Sequence, residues 1–388
     1  MGGWIFCGEM FIFVGYNFKQ LSCRDMPSLK KIVIQNFRNI ELQELEFSPK
    51  MNCICGGNGE GKTNLLDAIW YLSMTKSAFL PGDKFGFRYG CDSFGLSGTY
   101  AMESGPDTRI SIQVSGNGEK KVKRDDKQYT RLSDHIGLIP VVMVSPMDAN
   151  LVMDAAEDRR KFVNSVLSQV DKTYLSNVQI YLRLLQQRNK LLKEQRGDEK
   201  DLLEVIDQKM ATVTRPIYDR RREFCEVINP LLQEYYGHIS GSGEQVRITY
   251  KSNLEKYSFL DLCKASRERD FIMGFTTAGP HRDDFIFEMD GHQIRRSGSQ
   301  GQQKSFLVAL KFSQYSLMKD RCGFAPMLLL DDLFDKLDMG RVHNLLEMVS
   351  GDGFGQIFIS DSNKVRLDSI VTQGTFYEAE GGVFKRNE

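Results

Sequence analysis

The chain has 388 residues, of which 41% are hydrophobic and 26% are charged, and 51 basic residues balance 51 acidic ones. This length accommodates two or three domains with a sizeable core, and the composition excludes a disordered or fibrous chain. Because the formal net charge is zero, any nucleic-acid partner must be held by a local basic surface and not by a global field.

Residues 1–25 differ from the rest of the chain. Residues 4–18 are rich in aromatic and apolar side chains, but glycines interrupt them and they are shorter than a membrane span. No lysine or arginine precedes Lys19, so the segment is a poor match to a secretory signal. We expect translation to begin at Met26, with residues 1–25 as an extension outside the folded domain. No long apolar span occurs elsewhere, so no membrane contact is expected.

Eight cysteines stand at irregular spacing. In a chain of this length, that pattern predicts reduced thiols in a cytosolic protein and not a disulfide scaffold. Cys53 and Cys55 suggest half of a metal site, but no second pair of ligands stands at matching spacing. Core positions on a strand are the favoured interpretation of both.

A strand, a glycine-rich loop and a helix are predicted in succession near the N-terminus. Residues 29–38 and 40–47 are predicted to form a strand and its hairpin partner. The short apolar run at 51–55 then leads into GGNGEGKT at 56–63, and residues 64–72 have helical apolar spacing. A Gly-x4-Gly-Lys-Thr match in this context predicts a phosphate-binding loop. The alternative, a chance glycine-rich turn containing Lys-Thr, does not explain the flanks.

The chemistry of such a loop assigns a role to each residue type. Glycines allow successive N–H groups to point inward and form a nest for phosphate oxygens beside the positive end of the next helix. Lys62 is expected to reach the β- and γ-phosphates, and Thr63 to offer its hydroxyl to Mg²⁺. The expected nucleotide contacts are Gly56, Asn58, Gly59, Gly61, Lys62, Thr63 and Asn64.

Alternating segments between residues 97 and 129 predict a β subregion. It contains the basic run KKVKR at 120–124. This run fits phosphate contacts and fits a solvated hairpin face equally well.

Two helical stretches follow, from 157 to about 196, with a break near 171–173, and from about 202 to 236, passing Pro216. Together they predict a helical arm. Its cations are interleaved with acidic residues, and ordinary solvent-facing helix surface explains about half of them. These cations are Arg183, Arg188, Lys190, Lys193, Arg220, Arg221 and Arg222.

The last third returns to α/β character, with strands predicted at 285–287, 327–330 and 357–359 and a helix at 303–317. Asp331 and Asp332 directly follow the apolar strand MLLL, at the end where α/β sheets bind ligands. Asp331 is expected to hold Mg²⁺ through water, and Asp332 to orient or activate the attacking water. The expected catalytic residues are therefore Lys62, Asp331 and Asp332.

A second anion site is predicted at SQGQQK, residues 299–304, which leads into the helix at 303–317. The Ser299 hydroxyl, the Gly301 backbone and the helix N-terminus suit an anion, with Gln302 beside them. One nucleotide rarely needs two γ-phosphate cradles. We therefore expect this second site to contact ATP held by another subunit.

Together these motifs resemble the RecF family of bacterial DNA replication and repair ATPases, which is related to SMC proteins and to ABC ATPases. The resemblance extends from about residue 29 to 385, and GPHRDD at 279–284 beside the Gln-Gly-Gln-Gln string is its most specific part. The other matching strings are Asn36 to Asn39, residues 56–66, Arg159-Arg160, Gln187 to Asn189, Asp331-Asp332 and Leu337-Asp338.

The resemblance implies an α/β fold, an ABC-type P-loop ATPase head with an inserted, mainly helical lobe. Residues 26–145 and 265–388 would form the head, and residues 146–264 the arm. Ser299 and Gly301 of one protomer would close over ATP bound by Lys62 and Thr63 of another. Residues 335–338 would form the D-loop at that seam, and residues 145–148 would sense nucleotide between head and arm.

It also implies a function: an ATP-dependent homodimer that clamps double-stranded DNA at gaps or ssDNA–dsDNA junctions. Weak, DNA-stimulated ATP hydrolysis would release the clamp. With RecO and RecR, the protein would help to load RecA, in the cytoplasm.

Two segments depart from the expected patterns. Lys76-Ser77-Ala78-Phe79 replaces a Lys-Ser-His-Arg-like string, which puts a basic contact there in doubt. Ser360-Asp361-Ser362 stands where transporter ATPases carry a switch histidine, so another group must sense the γ-phosphate.

Other functions explain less of the sequence. A transporter ATPase would carry the switch histidine, an SMC-type protein would need far longer helices with heptads, and a small-molecule kinase would leave the Ser299 segment unexplained. A metal site at His281, Asp283 and Asp284 is disfavoured by the adjacent Arg282. A Ser/His/Asp hydrolase lacks its Gly-x-Ser-x-Gly elbow.

Overall fold

A computed structural model describes residues 27–102, 105–194, 199–333, 340–341, 344–345, 349, 353–371 and 374–387. The expected extension at 1–25, the start at Met26 and the expected D-loop at 335–338 lie outside the described residues. Described strands are β1 (Ser28–Phe37), β2 (Ile40–Glu46), β3 (Met51–Cys55), β4 (Ser93–Ala101), β5 (Thr108–Ser115), β6 (Lys120–Arg124), β7 (Lys127–Gln128), β8 (Val141–Val144), β9 (Val246–Lys251), β10 (Asp284–Met289), β11 (His292–Gln293), β12 (Met327–Asp331), β13 (Ile357–Asp361), β14 (Thr375–Glu380) and β15 (Val383–Arg386). Described helices are α1 (Lys62–Met74), α2 (Ala149–Met153), α3 (Ala156–Val170), α4 (Lys172–Glu194), α5 (Glu199–Ser240), α6 (Phe259–Met273), α7 (Ile294–Ser297), α8 (Gln300–Cys322) and a last helix at Lys364–Ile370.

The strands form three sheets. The outer sheet is antiparallel, in the order β2-β1-β4-β5-β6-β7, and the small sheet has the order β11-β10-β9. The central sheet, β15-β14-β3-β13-β12-β8, is parallel except for β15. Because β13 lies between β3 and β12, the loops that follow these three strands meet at one edge of the sheet.

The central sheet separates two apolar clusters, which explains why β12 is buried along its whole length. Leu329 faces the cluster that contains α1 and the outer sheet. Leu328 and Leu330 face the cluster that contains α3 to α6, α8, β9 and β10. Side chains alternate across a strand, so one apolar run serves both cores.

Helices form over both stretches that the sequence predicted to be helical. Helix α3 ends at Val170 and α4 begins at Lys172, which confirms the predicted break, and α5 continues through Pro216 and Pro230. The expected boundary after residue 264 falls inside α6, so one continuous helix crosses it. The division of the chain into head and arm stays a prediction.

Cys53 and Cys55 are buried on β3, in agreement with the core interpretation. No helix in the described part of the chain combines the length and the apolar character that crossing a membrane requires.

Candidate active site

The phosphate loop, residues 56–63, connects β3 to α1 and passes very close to two other segments. A Cβ on Gly61, whose φ is 105°, would lie 2.9 Å from the Asn39 side chain. A Cβ on Gly56 would lie 2.4 Å from the carbonyl oxygen of Ala379. The loop therefore needs glycine at both positions to follow this path.

Lys62 is folded back over this loop. Its side chain is almost fully buried, and Nζ donates hydrogen bonds to the carbonyl oxygens of Gly56 at 2.8 Å and Gly57 at 2.9 Å. An ammonium group has three donors. Two of them hold the lysine in place, and the third is available for a phosphate oxygen.

Neighbouring turns support the loop from outside. Asn64 Nδ2 donates to Asn39 Oδ1 at 2.6 Å. The Gly382 N–H donates to the carbonyl oxygen of Glu60 at 2.9 Å, and the Gly381 N–H donates to the Glu60 carboxylate. The Asn64 amide thus positions the loop, and its expected contact with nucleotide stays a prediction.

Thr63, Asp331 and Ser360 meet at the carboxyl edge of the central sheet. The Thr63 hydroxyl lies 2.9 Å from Asp331 Oδ2, and the Ser360 hydroxyl donates to Asp331 Oδ1 at 2.6 Å. Asp331 is buried, and burial raises the pKa of its carboxyl group. Hydrogen bonds from Ser360 and Thr63 and the charge of Lys62 lower that pKa and favour the carboxylate.

These groups fit the expected magnesium ion. Mg²⁺ prefers hard oxygen ligands and usually takes one or two carboxylates beside substrate phosphates and water. Thr63 and Asp331 supply a hydroxyl and a carboxylate at one point beside Lys62. The donor set is the one that Mg-nucleotide chemistry requires.

Asp332 follows on a strained backbone. Its φ is 43°, and its N–H donates to the Ser360 hydroxyl at 3.1 Å and to the Ser360 carbonyl oxygen at 3.2 Å. A non-glycine residue in this region costs on the order of 1–3 kcal/mol and persists where surrounding contacts fix it. Ser360 thus fixes both aspartates, and the role of Asp332 toward water stays a prediction.

Ser299 caps the N-terminus of α8 in a capping box. Its hydroxyl accepts from the Gln302 N–H at 3.3 Å, and its N–H donates to Gln302 Oε1 at 2.8 Å. Gln302 Nε2 in turn donates to Glu244 Oε1 at 2.7 Å. A Cβ on Gly301 would lie 2.8 Å from Arg341 Nη1. The exposed helix N-terminus beside a guanidinium suits an anion.

The structure therefore brings Lys62, Thr63, Asp331 and Asp332 together, with Thr63 and Asp331 in contact across 268 positions of sequence. The side chains of the Ser299 segment instead bond with each other and with Glu244. Their expected role at a second subunit's ATP stays a prediction.

A buried lysine that sequence reasoning missed joins α8 to the segment at 145–148. Lys311 Nζ lies 2.7 Å from Asp148 Oδ1 and donates to the Met143 carbonyl oxygen at 2.9 Å. Asp148 Oδ2 accepts from the Ser145 N–H at 2.7 Å. The available signal was a lysine inside the apolar run of a buried helix, which indicates a buried partner.

The GPHRDD string at 279–284 forms a turn that is joined by ion pairs to helices α3 and α5. Arg221 lies 3.0 Å from Asp283, and Arg159 lies 2.9 Å from Asp284. No group of three potential metal ligands occurs among the described residues. Asp283 and Asp284 are thus partners of arginines in a salt-bridged turn.

Two of the cations counted on the arm are buried. Arg188 is 1% exposed and lies 2.6 Å from both Asp207 and Asp270. Arg221 is 3% exposed and is held by Asp283. Neither guanidinium is on the surface, so the expected basic surface of the arm excludes both.

The basic run of β6 is part of a hairpin whose cations have nearby partners. Lys120 lies 2.6 Å from Asp83, and Lys121 lies 3.0 Å from Glu119. Val122, the next residue, is buried. Lys121 is exposed, as expected for a solvated hairpin face, whereas the Lys120 side chain is mostly buried.

Residues 31–273 match the family described as AAA domain. The DNA replication and repair protein RecF of Phocaeicola vulgatus is 43% identical over 366 residues, which cover 93% of this chain and 99% of that protein. RecF of Bacteroides fragilis (strain ATCC 25285) is 44% identical over 343 residues, covering 88% of this chain and 93% of that protein.

Comparison with solved structures also finds similarity to RecF. One described as "Structure of the recombination mediator protein RecF-ATP in RecFOR pathway" superposes with a TM-score of 0.87 at 28% identity, covering 94% of this chain and 99% of its own. The Smc head domain of Pyrococcus furiosus superposes with a TM-score of 0.55 at 16% identity over 93% of this chain and 96% of its own, which shows a shared fold.

Proposed function

Because this chain belongs to the RecF family of DNA replication and repair proteins, we propose that it is an ATP-dependent DNA clamp, in which Mg-ATP joins two copies around duplex DNA. The observation that carries the proposal is the cluster of Thr63, Asp331 and Ser360 beside the folded-back Lys62. It offers the ligands of a magnesium-bound triphosphate at one edge of the sheet. The RecF-ATP structure of a relative supports ATP as the nucleotide.

Each residue of the cluster has one task in this proposal. Lys62 gives its third N–H to a phosphate oxygen, and the loop N–H groups hold the others. Thr63 and Asp331 would hold Mg²⁺, and the ion would supply positive charge beside the phosphates. Asp332 aligns the attacking water, because Ser360 fixes the backbone from which its carboxylate projects.

The second half of the site comes from another copy of the chain. Ser299, Gly301 and Gln302 close over the phosphates held by that copy, because α8 presents a hydroxyl and free N–H groups at a positive helix end. ATP then contributes contacts to both protomers, and hydrolysis removes the γ-phosphate that joins them. Dimer formation therefore depends on intact ATP.

The dimer holds DNA between its arms. Contacts to phosphates make binding largely independent of sequence and steeply dependent on salt. Weak, DNA-stimulated hydrolysis releases the duplex, and gapped or junction DNA is the substrate. The protein acts in the cytoplasm with RecO and RecR to assist RecA loading, in keeping with the RecFOR pathway in which the structural relative is described.

Measuring molar mass by light scattering tests the nucleotide step. We expect wild type to be monomeric without nucleotide or with ADP, and dimeric with Mg-ATP. Lys62→Ala should stay monomeric with ATP, because the phosphates lose the only buried cation of the loop. Dimerisation of this variant on ATP, or a wild type that stays monomeric at high concentration with ATP, would contradict the clamp.

A further inference from the structure

Helix α4 carries an unusual distribution of charge. No Asp or Glu occurs from Lys172 through Lys193, and Arg183, Lys190 and Lys193 are exposed. Glu194 closes the helix, 3.8 Å from Lys190. Arg183 and Lys193 form no ion pair with any residue that the structure describes. The exposed side of this helix is therefore positive and has no acid within it.

Helical geometry arranges the exposed side chains in a line. A helix turns about 100° per residue, so residues three or four apart share a face. Buried residues of α4, among them Tyr174, Tyr181 and Arg188, form one face. The opposite face carries a row of hydrogen-bond donors, which we name the donor stripe: Ser176, Gln179, Arg183, Gln186, Lys190 and Lys193.

Helix α5 provides an internal comparison. Two of its exposed cations have an acid one turn away, with Arg215 lying 3.1 Å from Asp219 and Arg222 lying 3.5 Å from Glu226. Such pairs cancel the field at the surface. Over most of its length, the donor stripe has no acids that pair with its cations. We therefore expect α4 to attract anions more strongly than α5 does.

We propose that the donor stripe of α4 is the surface on which the arm follows the phosphate backbone of duplex DNA. At a rise of 1.5 Å per residue, the row from Ser176 to Lys193 is about 25 Å long. Serine, glutamine, lysine and arginine are side chains that bind phosphate and sugar oxygens without reading sequence. The inference rests on the proposed function, and it assigns the DNA contact to one face of one helix.

The test compares two triple variants of equal charge. Arg183→Gln/Lys190→Gln/Lys193→Gln removes the cations of the stripe, and Lys209→Gln/Arg215→Gln/Arg222→Gln removes three exposed cations of α5. Glutamine has nearly the helix propensity of lysine and arginine, so both helices should persist. Binding to a 30-base-pair duplex is measured with Mg-ATP across a series of salt concentrations, after dimer formation has been checked.

We expect the stripe variant to lose at least about tenfold in affinity at moderate salt, and its salt slope to fall by about 2.7 per arm in contact. The α5 variant should bind like wild type. Equal affinity and slope for the stripe variant and wild type would overturn the inference, as would equal losses in both variants. If wild type itself fails to bind duplex DNA with ATP, the proposed function fails instead.

A second measurement uses wild type alone and does not depend on the folding of a variant. Acetylation of Lys190 and Lys193 should slow when duplex DNA is added with Mg-ATP, while acetylation of Lys209 should not. Exposed Ile180 and Leu182 flank the stripe and would suit a protein partner. If DNA leaves Lys190 and Lys193 unprotected while an added RecR-type protein protects them, the stripe is a protein-binding surface and the DNA assignment is wrong.

Discussion

The hydroxyl of Ser360 occupies the strand end at which transporter ATPases carry a histidine. It donates to Asp331 and accepts from the Asp332 N–H, so one side chain organises both carboxylates. Burial raises the pKa of Asp331, and the Ser360 hydrogen bond is the largest influence that opposes it. The serine thus favours the ionised form of Asp331, the carboxyl group that we propose for Mg²⁺.

Replacing Ser360 tests this role. A hydrogen bond to a charged group contributes about 1.5–3 kcal/mol, so Ser360→Ala should lower kcat/KM for ATP by about one to two orders of magnitude. Because the pKa of Asp331 rises further, part of the loss should be recovered as pH increases. Hydrolysis is measured against Mg²⁺ concentration and pH, with the exposed Ser362→Ala as control. An unchanged Mg²⁺ dependence of hydrolysis in Ser360→Ala would refute this role of Ser360.

His281 is held as a neutral ring. Its Nε2 lies 3.0 Å from the Thr276 carbonyl oxygen, which can only accept, so Nε2 carries the proton. Nδ1 then accepts from the Tyr181 hydroxyl at 2.6 Å. Burial lowers the pKa of His281 to about 4. Burial therefore favours the neutral imidazole in the folded protein.

This pKa predicts a stability profile. Between about pH 4 and pH 6.5, the unfolded chain binds a proton at His281 that the folded chain does not, so stability rises with pH. The slope from one such group approaches about 1.4 kcal/mol per pH unit. His281→Gln keeps both hydrogen bonds without titrating, so its denaturation curves should show a smaller slope between pH 5 and 6.5. Parallel profiles for variant and wild type would show that His281 is protonated in the fold.

The two faces of α4 show what periodicity can and cannot predict. Arg188 stands three residues after Leu185 and seven after Tyr181, in register with the buried side of the helix. That spacing predicts that Arg188 is buried. Grouping the arm's cations by charge alone ignores the spacing. Which acids neutralise Arg188 could not be predicted, because Asp207 and Asp270 come from α5 and α6.

Matched substitutions on α4 separate these faces. Arg188→Met removes the guanidinium that lies between two buried carboxylates, and we expect a loss of about 3–5 kcal/mol of unfolding free energy. Arg183→Met, on the exposed face, should change stability by less than about 0.5 kcal/mol. Urea denaturation of both variants measures the two losses of unfolding free energy. Similar losses would show that the burial of Arg188 carries no energetic weight.

Across the whole molecule, local patterns were predicted well and long-range neighbours were not. The strand, loop and helix around Lys62 and the strand before Asp331 appear where the apolar periods indicated. The contact between Ser360 and Asp331 depends on β13 lying between β3 and β12. Strand order in a parallel sheet follows from packing among distant segments, which no single stretch of sequence records.

The proposed composite ATP site predicts complementation between defective chains. Lys62→Ala cannot hold ATP, and Ser299→Ala cannot close over it, so each variant alone should dimerise poorly. A mixed dimer contains one site with both Lys62 and Ser299 intact. We therefore expect ATP hydrolysis of an equimolar mixture to exceed the sum of the separate activities. Activity equal to that sum would place Ser299 and Lys62 at unrelated sites.

The clasp between the phosphate loop and the β14–β15 hairpin has a consequence for biosynthesis. Glu60 bonds to Gly381, 321 positions later, and Gly56 lies against Ala379. On the ribosome, the phosphate loop is therefore synthesised early, whereas the hairpin that packs against it is synthesised last. Until the hairpin has emerged, the loop lacks the neighbours that shape it. We therefore expect the ability to hold nucleotide to mature only when synthesis reaches this hairpin, so that unfinished chains bind nucleotide poorly.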